Sequence, residues 1–570
     1  MMLSLRVSLR TVAIASIALS LAATSLPGQL SRRDSLDVKK KAQRAQAGFE
    51  RVRRAHMPIR YSSAPQVCDA KVGRFCQWND DEGPPPKEPK PITTARGNLL
   101  AALDSAAARL PGDDWIAGQR IRYLVEAGQD SAALQAAASC VGTPWWCAAL
   151  KGLALHESAN YAASDTAFKL ALSLMPEKER CRWTDVSMLL DDDQRKRFGK
   201  VGCGRSEQLA QRIWWLADPF LAIPGNERET EHYSRQVMSR ILDGTDAGYT
   251  VRWGDDLREL VIRYGWSRYW TRSPGPLHDP DGGSISGHEA SPTYHFFPET
   301  VMLDSVTNIG DSTWNFRYRY SAERYSPPVA KVLADISPQI ALFRRGDSVQ
   351  VVAGYDVSRD TAMAGGTIQS ALVLTRDEHD TPVVSMSALP RGWHTLTVDG
   401  TPHLLSLEAW SPDKHGGARI RRGVALPPRS PNGVAVSDVL LFDATAAEGT
   451  DFASILPYTL GSLTVDGHRK LGLYWEAYGL SKPDSALPVS LTLTRIAGGT
   501  LRRLAEAIGL GQRSTPLSIA WHETPSLGGI ATRSVVLDLS LIPQGRYKLK
   551  LELTPSGGPP VTALRVIEIQ

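Results

Sequence analysis

Apolar residues along this chain follow two periods. Before about residue 242 they recur three and four apart, as on the buried face of a helix, and after about residue 335 they tend to alternate, as on a strand with one face inside. Tyr233, Val237 and Ile241 form one such helical stripe, with Asn226 placed to cap the helix and Glu229 three residues on in capping-box position. On the strand side Val349, Val351, Ala353, Tyr355 and Val357 alternate, as do Leu471, Leu473 and Trp475, and Leu537, Leu539 and Leu541. The closing hairpin is the clearest: Tyr547, Leu549, Leu551 and Leu553 alternate with Arg546, Lys548, Lys550 and Glu552. Short strands separated by Gly, Pro and Asp turns predict antiparallel β-sandwiches, and a break at Thr445 to Thr450 divides them in two. Trp253 to Tyr269 marks the handover between the two periods. There Leu260, Ile262 and Tyr264 alternate with Glu259, Val261 and Arg263 as in a strand; the competing helix uses Leu257, Val261 and Tyr264.

Two resemblances sharpen the outline. Gly152, Tyr161, Phe168, Ala171 and Pro176 stand at the offsets of a tetratricopeptide repeat, in which glycine admits close helix approach and the aromatic fills the gap. Gly118 lies one repeat length earlier, and a lone repeat cannot bury its own apolar face, so a short helical array is expected. Such an array binds a partner or is plain scaffolding. Further on, Asn226, Glu227, Arg235, Trp253, Gly254, Asp256, Ile262, Arg263, Tyr264 and Gly265 resemble the GWxTD-domain family of exported bacterial proteins, with the order Trp253-Gly254 reversed. In that family an asparagine-glutamate helix leads into a glycine/tryptophan/aspartate turn and a strand ending in arginine-tyrosine-glycine. The resemblance implies a strand over Glu259 to Tyr264 and sheet modules after it, and it implies no reaction.

The expected fold class is therefore α+β and multidomain, as a chain of 570 residues exceeds one core. We expect a signal peptide over 1–25, a basic stapled segment with a Pro-rich linker over 26–93, and a helical repeat domain over 94–218. A small mixed α/β GWxTD-like domain with a long loop follows over 219–325, then β-sandwich modules over 326–447 and 448–570. Arg32 to Arg54, rich in Lys, Arg, Gln and Ala, reads as a solvated helix or tail, and Asp80 to Pro91 as an extended linker.

The leader carries most of the functional information. Arg6 and Arg10 precede the short apolar run Thr11 to Thr24, the pattern of a secretory signal peptide. The run is shorter than a bilayer needs, and no later segment is apolar enough to span one. Export makes disulfides the expected state of the cysteines, paired as neighbours: Cys68/Cys76, Cys140/Cys147 and Cys181/Cys203. Free thiols or a zinc site are the alternatives, though no CxxC spacing supports zinc. The net charge of +5 is small for this length and gives no support to nucleic-acid binding.

Candidate chemistry is sparse. His278, His288 and His295, with Asp279, Asp281 and Glu289, lie in the Gly/Pro-rich stretch Ser273 to Pro298 and could serve a metal-dependent hydrolase. Their spacing fits no ligand motif. Trp314, Phe316, Tyr318 and Tyr320 would share one face of a strand, with Arg317 and Arg319 on the other. That face is either core or a platform for sugar rings. No HExxH, GxSxG or GxxxxGK[ST] is present, and no cofactor is implied. The reading favoured is an exported, non-enzymatic interaction or scaffold protein of the bacterial cell envelope, periplasmic or cell-surface associated, that meets a protein partner through its helical repeats or sandwich surfaces.

Overall fold

The computed structural model describes residues 31–570 apart from 61–68, 78–85, 200, 250, 274–283, 289–293, 312–313, 315, 318–320, 427–432, 448, 481–486, 497–515, 524–529 and 556–558. The leader at 1–25 lies outside the described residues.

The first half is helical. Its helices are α1 (Arg32–Ala55), α2 (Lys90–Arg109), α3 (Asp114–Glu126), α4 (Asp130–Ala138), α5 (Pro144–Glu157), α6 (Tyr161–Leu174), α7 (Glu177–Trp183), α8 (Asp192–Phe198), α9 (Cys203–Ala217), α10 (Glu227–Leu242) and α11 (Asp255–Tyr264). Helices α1 to α6, with α10, share one core built on Leu99, Leu103, Trp146, Leu150, Leu153, Phe168 and Val237. Gly152 is the closest approach of α5 to α6: a β-carbon there would stand 2.7 Å from the Phe168 ring. The Ser164 hydroxyl donates to the Gly152 carbonyl at 2.8 Å across the same seam.

Three expectations are corrected here. Arg32 to Arg54 is a helix, as one of the two readings had it, but one with a buried face: α1 buries Val38, Ala42, Gln46, Phe49, Glu50 and Arg53. Its buried face was hard to see because ion pairs cover much of it, Glu50 meeting Arg53 and Arg122, and Arg53 meeting Glu126. The Pro-rich run ends in helix, since α2 begins at Lys90 with Pro91 in its first turn, where a missing N–H costs nothing. Glu259 to Tyr264 is helix α11 rather than a strand. Asp255 and Asp256 favour its N-terminus, and Leu257, Val261, Ile262 and Tyr264 make its buried face.

Strands follow. A hairpin of β1 (Ala70–Val72) and β2 (Phe75–Gln77) lies between α1 and α2, and β3 (Tyr269–Ser273) pairs with β4 (Ser284–His288), a strand within the Gly/Pro-rich stretch Ser273 to Pro298 expected to be a long loop. The first sandwich comprises β5 (Val332–Ala334), β6 (Gln339–Arg345), β7 (Ser348–Asp356), β8 (Gln369–Thr375), β9 (Val383–Ser387), β10 (Arg391–Asp399), β11 (His403–Ser411) and β12 (Gly416–Val424). Its sheets run β10-β7-β6 and β5-β12-β11-β8-β9. Between them Val349, Val351, Ala353 and Tyr355 meet Leu372, Leu374, Leu405 and Leu407.

The second sandwich comprises β13 (Ala435–Val436), β14 (Leu440–Asp443), β15 (Thr464–Val465), β16 (Lys470–Tyr478), β17 (Leu487–Arg495), β18 (Leu517–Glu523), β19 (Ile530–Asp538), β20 (Gly545–Leu553) and β21 (Val561–Ile569). One sheet runs β13-β16-β14 with β19 also on β16, and the other β15-β21-β20-β17-β18. Because β14 pairs with β16, the second module begins before residue 448. The sandwiches also share a core, with Ala341, Phe343 and Val352 against Leu440, Phe442 and Tyr474. Leu541 is 94% exposed and not part of the β19 pattern, because β19 ends at Asp538, whose carboxylate accepts the Ser540 N–H and turns the chain.

Candidate functional site

The residues of the motif around Trp253 come together as a joint between helices. Asn226 caps α10, its Oδ1 accepting the Glu229 N–H at 2.9 Å while its Nδ2 donates to the Trp214 carbonyl at 2.7 Å. Arg235 on α10 reads the end of α11: it donates to the Ile262, Arg263 and Arg324 carbonyls at 3.2, 2.8 and 2.8 Å. A cation there completes carbonyls that no further turn can satisfy. Gly265 ends α11 at φ 86°, a conformation open to glycine. Arg263 donates to the Met188 carbonyl at 2.7 Å, and Tyr264 is buried. Asp256 holds Arg74 of the β1–β2 turn at 2.5 Å; that hydrogen bond first of all holds its carboxyl down to about 2. Gly254 precedes the first turn of α11, and Trp253 packs on the helical core.

Beside this joint lies a buried charged junction that joins the helices to the first sandwich. On the outer face of β11 and β12, Ser406 stands opposite Arg421 and Glu408 opposite Arg419. That face would be wet in an isolated sandwich, but the end of α9 and the turn after it cover it. Arg421 donates to the Leu216 and Asp218 carbonyls at 2.7 Å each and to Ser406 Oγ at 3.1 Å. Arg419 donates to the Asp218 and Pro219 carbonyls at 2.5 and 2.9 Å. Glu408 accepts the Leu221 and Ala222 N–H groups at 3.0 Å each and the Ser406 hydroxyl at 2.6 Å.

A second layer of charge backs the first. Arg228 pairs with Glu323 at 2.7 Å, both fully buried, and Glu323 also accepts the Phe296 and Phe297 N–H groups at 2.9 and 3.0 Å. Burial raises the Glu323 carboxyl, but Arg228 and then His295 outweigh it and hold it down to about 2. Asp218 goes the other way: burial, against the pull of Arg421, pushes it up to about 7. Burial and then the Asp218 charge also push Glu227 well up, and its carboxylate has no hydrogen-bond partner among the described residues. Burial, then the neighbouring Arg421 charge, pulls Arg419 well down.

The sequence candidates take other places. His278, Asp279, Asp281 and Glu289 lie outside the described residues. His288 is buried in the β3–β4 hairpin, stacked on Tyr269 with ring centroids 4.8 Å apart and bonded to Thr271 at 2.5 Å. His295 instead pairs with Glu323 at 3.1 Å. Among the described residues no three His, Cys, Asp or Glu side chains converge as a metal ion would need.

Trp314 and Phe316 are not on a strand, contrary to expectation. They stack on each other, and the Arg419 guanidinium lies 4.8 and 4.6 Å from their ring centres, so the junction claims their faces. Tyr318, Arg319 and Tyr320 lie outside the described residues. Cys140–Cys147 and Cys181–Cys203 are disulfides with Cα atoms 5.5 and 5.3 Å apart. Cys76 is also disulfide-bonded, and Cys68 lies outside the described residues. Disulfides of this kind fit an oxidising, exported environment, and no described helix is long and apolar enough to cross a membrane.

An open groove of about 720 Å³ runs along the same seam. Phe198, Val201 and Leu209 from α8, α9 and the turn between them form one wall with Leu303, and Asp377, Glu378 and His379 of the β8–β9 turn form the other. Arg212 and Glu378 bridge it at 3.0 Å. Sequence reasoning missed Glu408, Arg419 and Arg421 because they alternate as a wet strand face does. The one available signal was a glutamate two residues before the bulky Trp410, followed by two arginines two apart in the next strand-like run.

No family model matches the chain, and no curated protein matches it. Solved structures similar to parts of it include the chicken CNTN1 FN1-FN3 domains, at 10% identity over 41% of this chain and 68% of that one, with a TM-score of 0.16. Another is the two fibronectin type-III domain segment from chicken tenascin, at 11% identity over 40% of this chain and 99% of that one, with a TM-score of 0.13. At these scores the likeness carries no weight, and the sandwiches rest on their own strand pairing.

Proposed function

We propose that this chain is an exported scaffold of the bacterial cell envelope that holds a protein partner and carries out no reaction of its own. Its helical array is of the tetratricopeptide kind, and residues 219–325 form a GWxTD-like module. One observation carries the reading: Glu408, Arg419 and Arg421 lock the end of α9 onto β11 and β12, so helices and sandwich present their surfaces in one fixed relation. The groove beside that lock is where a partner segment would lie. A photo-crosslinker at Leu209, in the full chain in its native envelope, tests this. Capture of one protein, lost in Arg421→Met while both halves stay folded, is the expected result. Hydrolysis abolished by His288→Ala, or glycan binding abolished by Trp314→Ala, would overturn it.

A further inference from the structure

Strand β18 is an edge of the second sandwich, and no described strand pairs with its outer side. Other edges are covered or short. The free side of β6 is taken by the second sandwich: its Leu342 N–H donates to Asp438 at 3.0 Å, its Arg344 N–H to the Tyr478 hydroxyl at 2.9 Å, and its Ile340 carbonyl accepts from Arg565 at 2.5 Å. The edges β5 and β15 are only three and two residues long.

Proteins guard long edge strands with Lys, Pro, a bulge or a covering element. β18 is seven residues, LSIAWHE, with no Lys, Arg, Pro or Gly. Its one carboxylate, Glu523, is already held by Arg533 at 2.5 Å and by Trp521 Nε1 at 2.8 Å. Leu517 and Ile519 stand opposite the buried Leu493 and Leu491 of β17, yet are 53% and 45% exposed.

We propose that β18 pairs antiparallel with the β18 of a second copy of this chain, about a two-fold axis through Ala520, joining two five-stranded sheets into one. The register is self-complementary. Ile519 meets the partner's Trp521, an apolar-aromatic cross-strand pair, and Ser518 meets the partner's His522, a hydroxyl against an imidazole. Neither pairing sets like charges opposite each other. A seam of seven residues is small beside the roughly 1,600 Å² of a standard interface, so the dimer depends on concentration.

Sedimentation of the full chain over a concentration series tests this, with a monomer-to-dimer shift expected. Ile519→Lys should remain monomeric throughout with its unfolding temperature unchanged. Ala520→Cys gives a second measurement independent of that variant's folding. In the proposed register its Cα lies about 4.5–5.5 Å from its own copy, within disulfide range, and no free cysteine competes among the described residues. A covalent dimer on mild oxidation supports the pairing. A wild-type chain that stays monomeric, a dimer that Ile519→Lys leaves intact, or Ala520→Cys that does not cross-link within the dimer would each overturn it.

Discussion

The Arg421 guanidinium donates to the backbone carbonyl of Asp218 at 2.7 Å, a bond that spans 203 positions of sequence and ties the end of a helix to the middle of a sheet. Arg421 and Glu408 are fully buried, so neither charge can turn to water if the other is lost.

Removing the cation alone should therefore be costly. Arg421→Met leaves Glu408 and Asp218 buried without it, and breaking a buried pair in this way costs about 3–5 kcal/mol. Urea unfolding of the full chain measures the loss. Adding Glu408→Gln should recover part of it, because the uncompensated charge goes too.

The junction also predicts a pH dependence. Asp218 is held up at about 7, so the folded state binds a proton that the unfolded chain, near 4, has released. The stability it contributes is complete below about pH 4 and is lost as the pH rises through about 7. Glu323, held at about 2, acts in the opposite sense: its contribution is present above about pH 4 and is lost as the pH falls toward 2. Unfolding free energies followed from pH 4 to 8 should fall more steeply in wild type than in Asp218→Asn, the difference being on the order of 4 kcal/mol.

Gly152→Ala tests the close approach of α5 and α6. Alanine gains about 1 kcal/mol in helix propensity, yet its β-carbon would stand 2.7 Å from the Phe168 ring. Overpacking of this kind costs about 1–3 kcal/mol, so the net change is destabilising. Combining it with Phe168→Leu should cost less than the sum of the two single changes, as thermal unfolding of the four proteins would show.

Two of the disulfides should differ in weight. Cys181–Cys203 closes a separation of 22 residues and Cys140–Cys147 one of 7. By chain entropy the first is worth about 3 kcal/mol and the second about 2. Denaturant unfolding of the paired Cys→Ser variants measures both.

Much of the fold was legible because it is local. The stripe Tyr233, Val237, Ile241 and the alternation in Tyr547 to Leu553 report their own periods, and all seven residues are buried as those periods require. The reading failed where a local pattern had two solutions. Leu260, Ile262 and Tyr264 alternate like a strand, but Leu257, Val261 and Tyr264 bury the helix face instead. It also failed at α1, where Gln46, Glu50 and Arg53 share the inner face with Val38, Ala42 and Phe49 and blur its apolar stripe.

By itself the sequence determined the helical first half, the sheet-rich second half, and the cap at Asn226, each a matter of neighbours within one or two turns. Only the tertiary structure decided which polar faces are dry. Glu408, Arg419 and Arg421 alternate as solvent-facing residues do, and they are buried because α9, some 200 positions away, is laid across them. Burial of a charge depends on what covers it, and that cover is set by the packing of whole elements rather than by the strand that carries the charge.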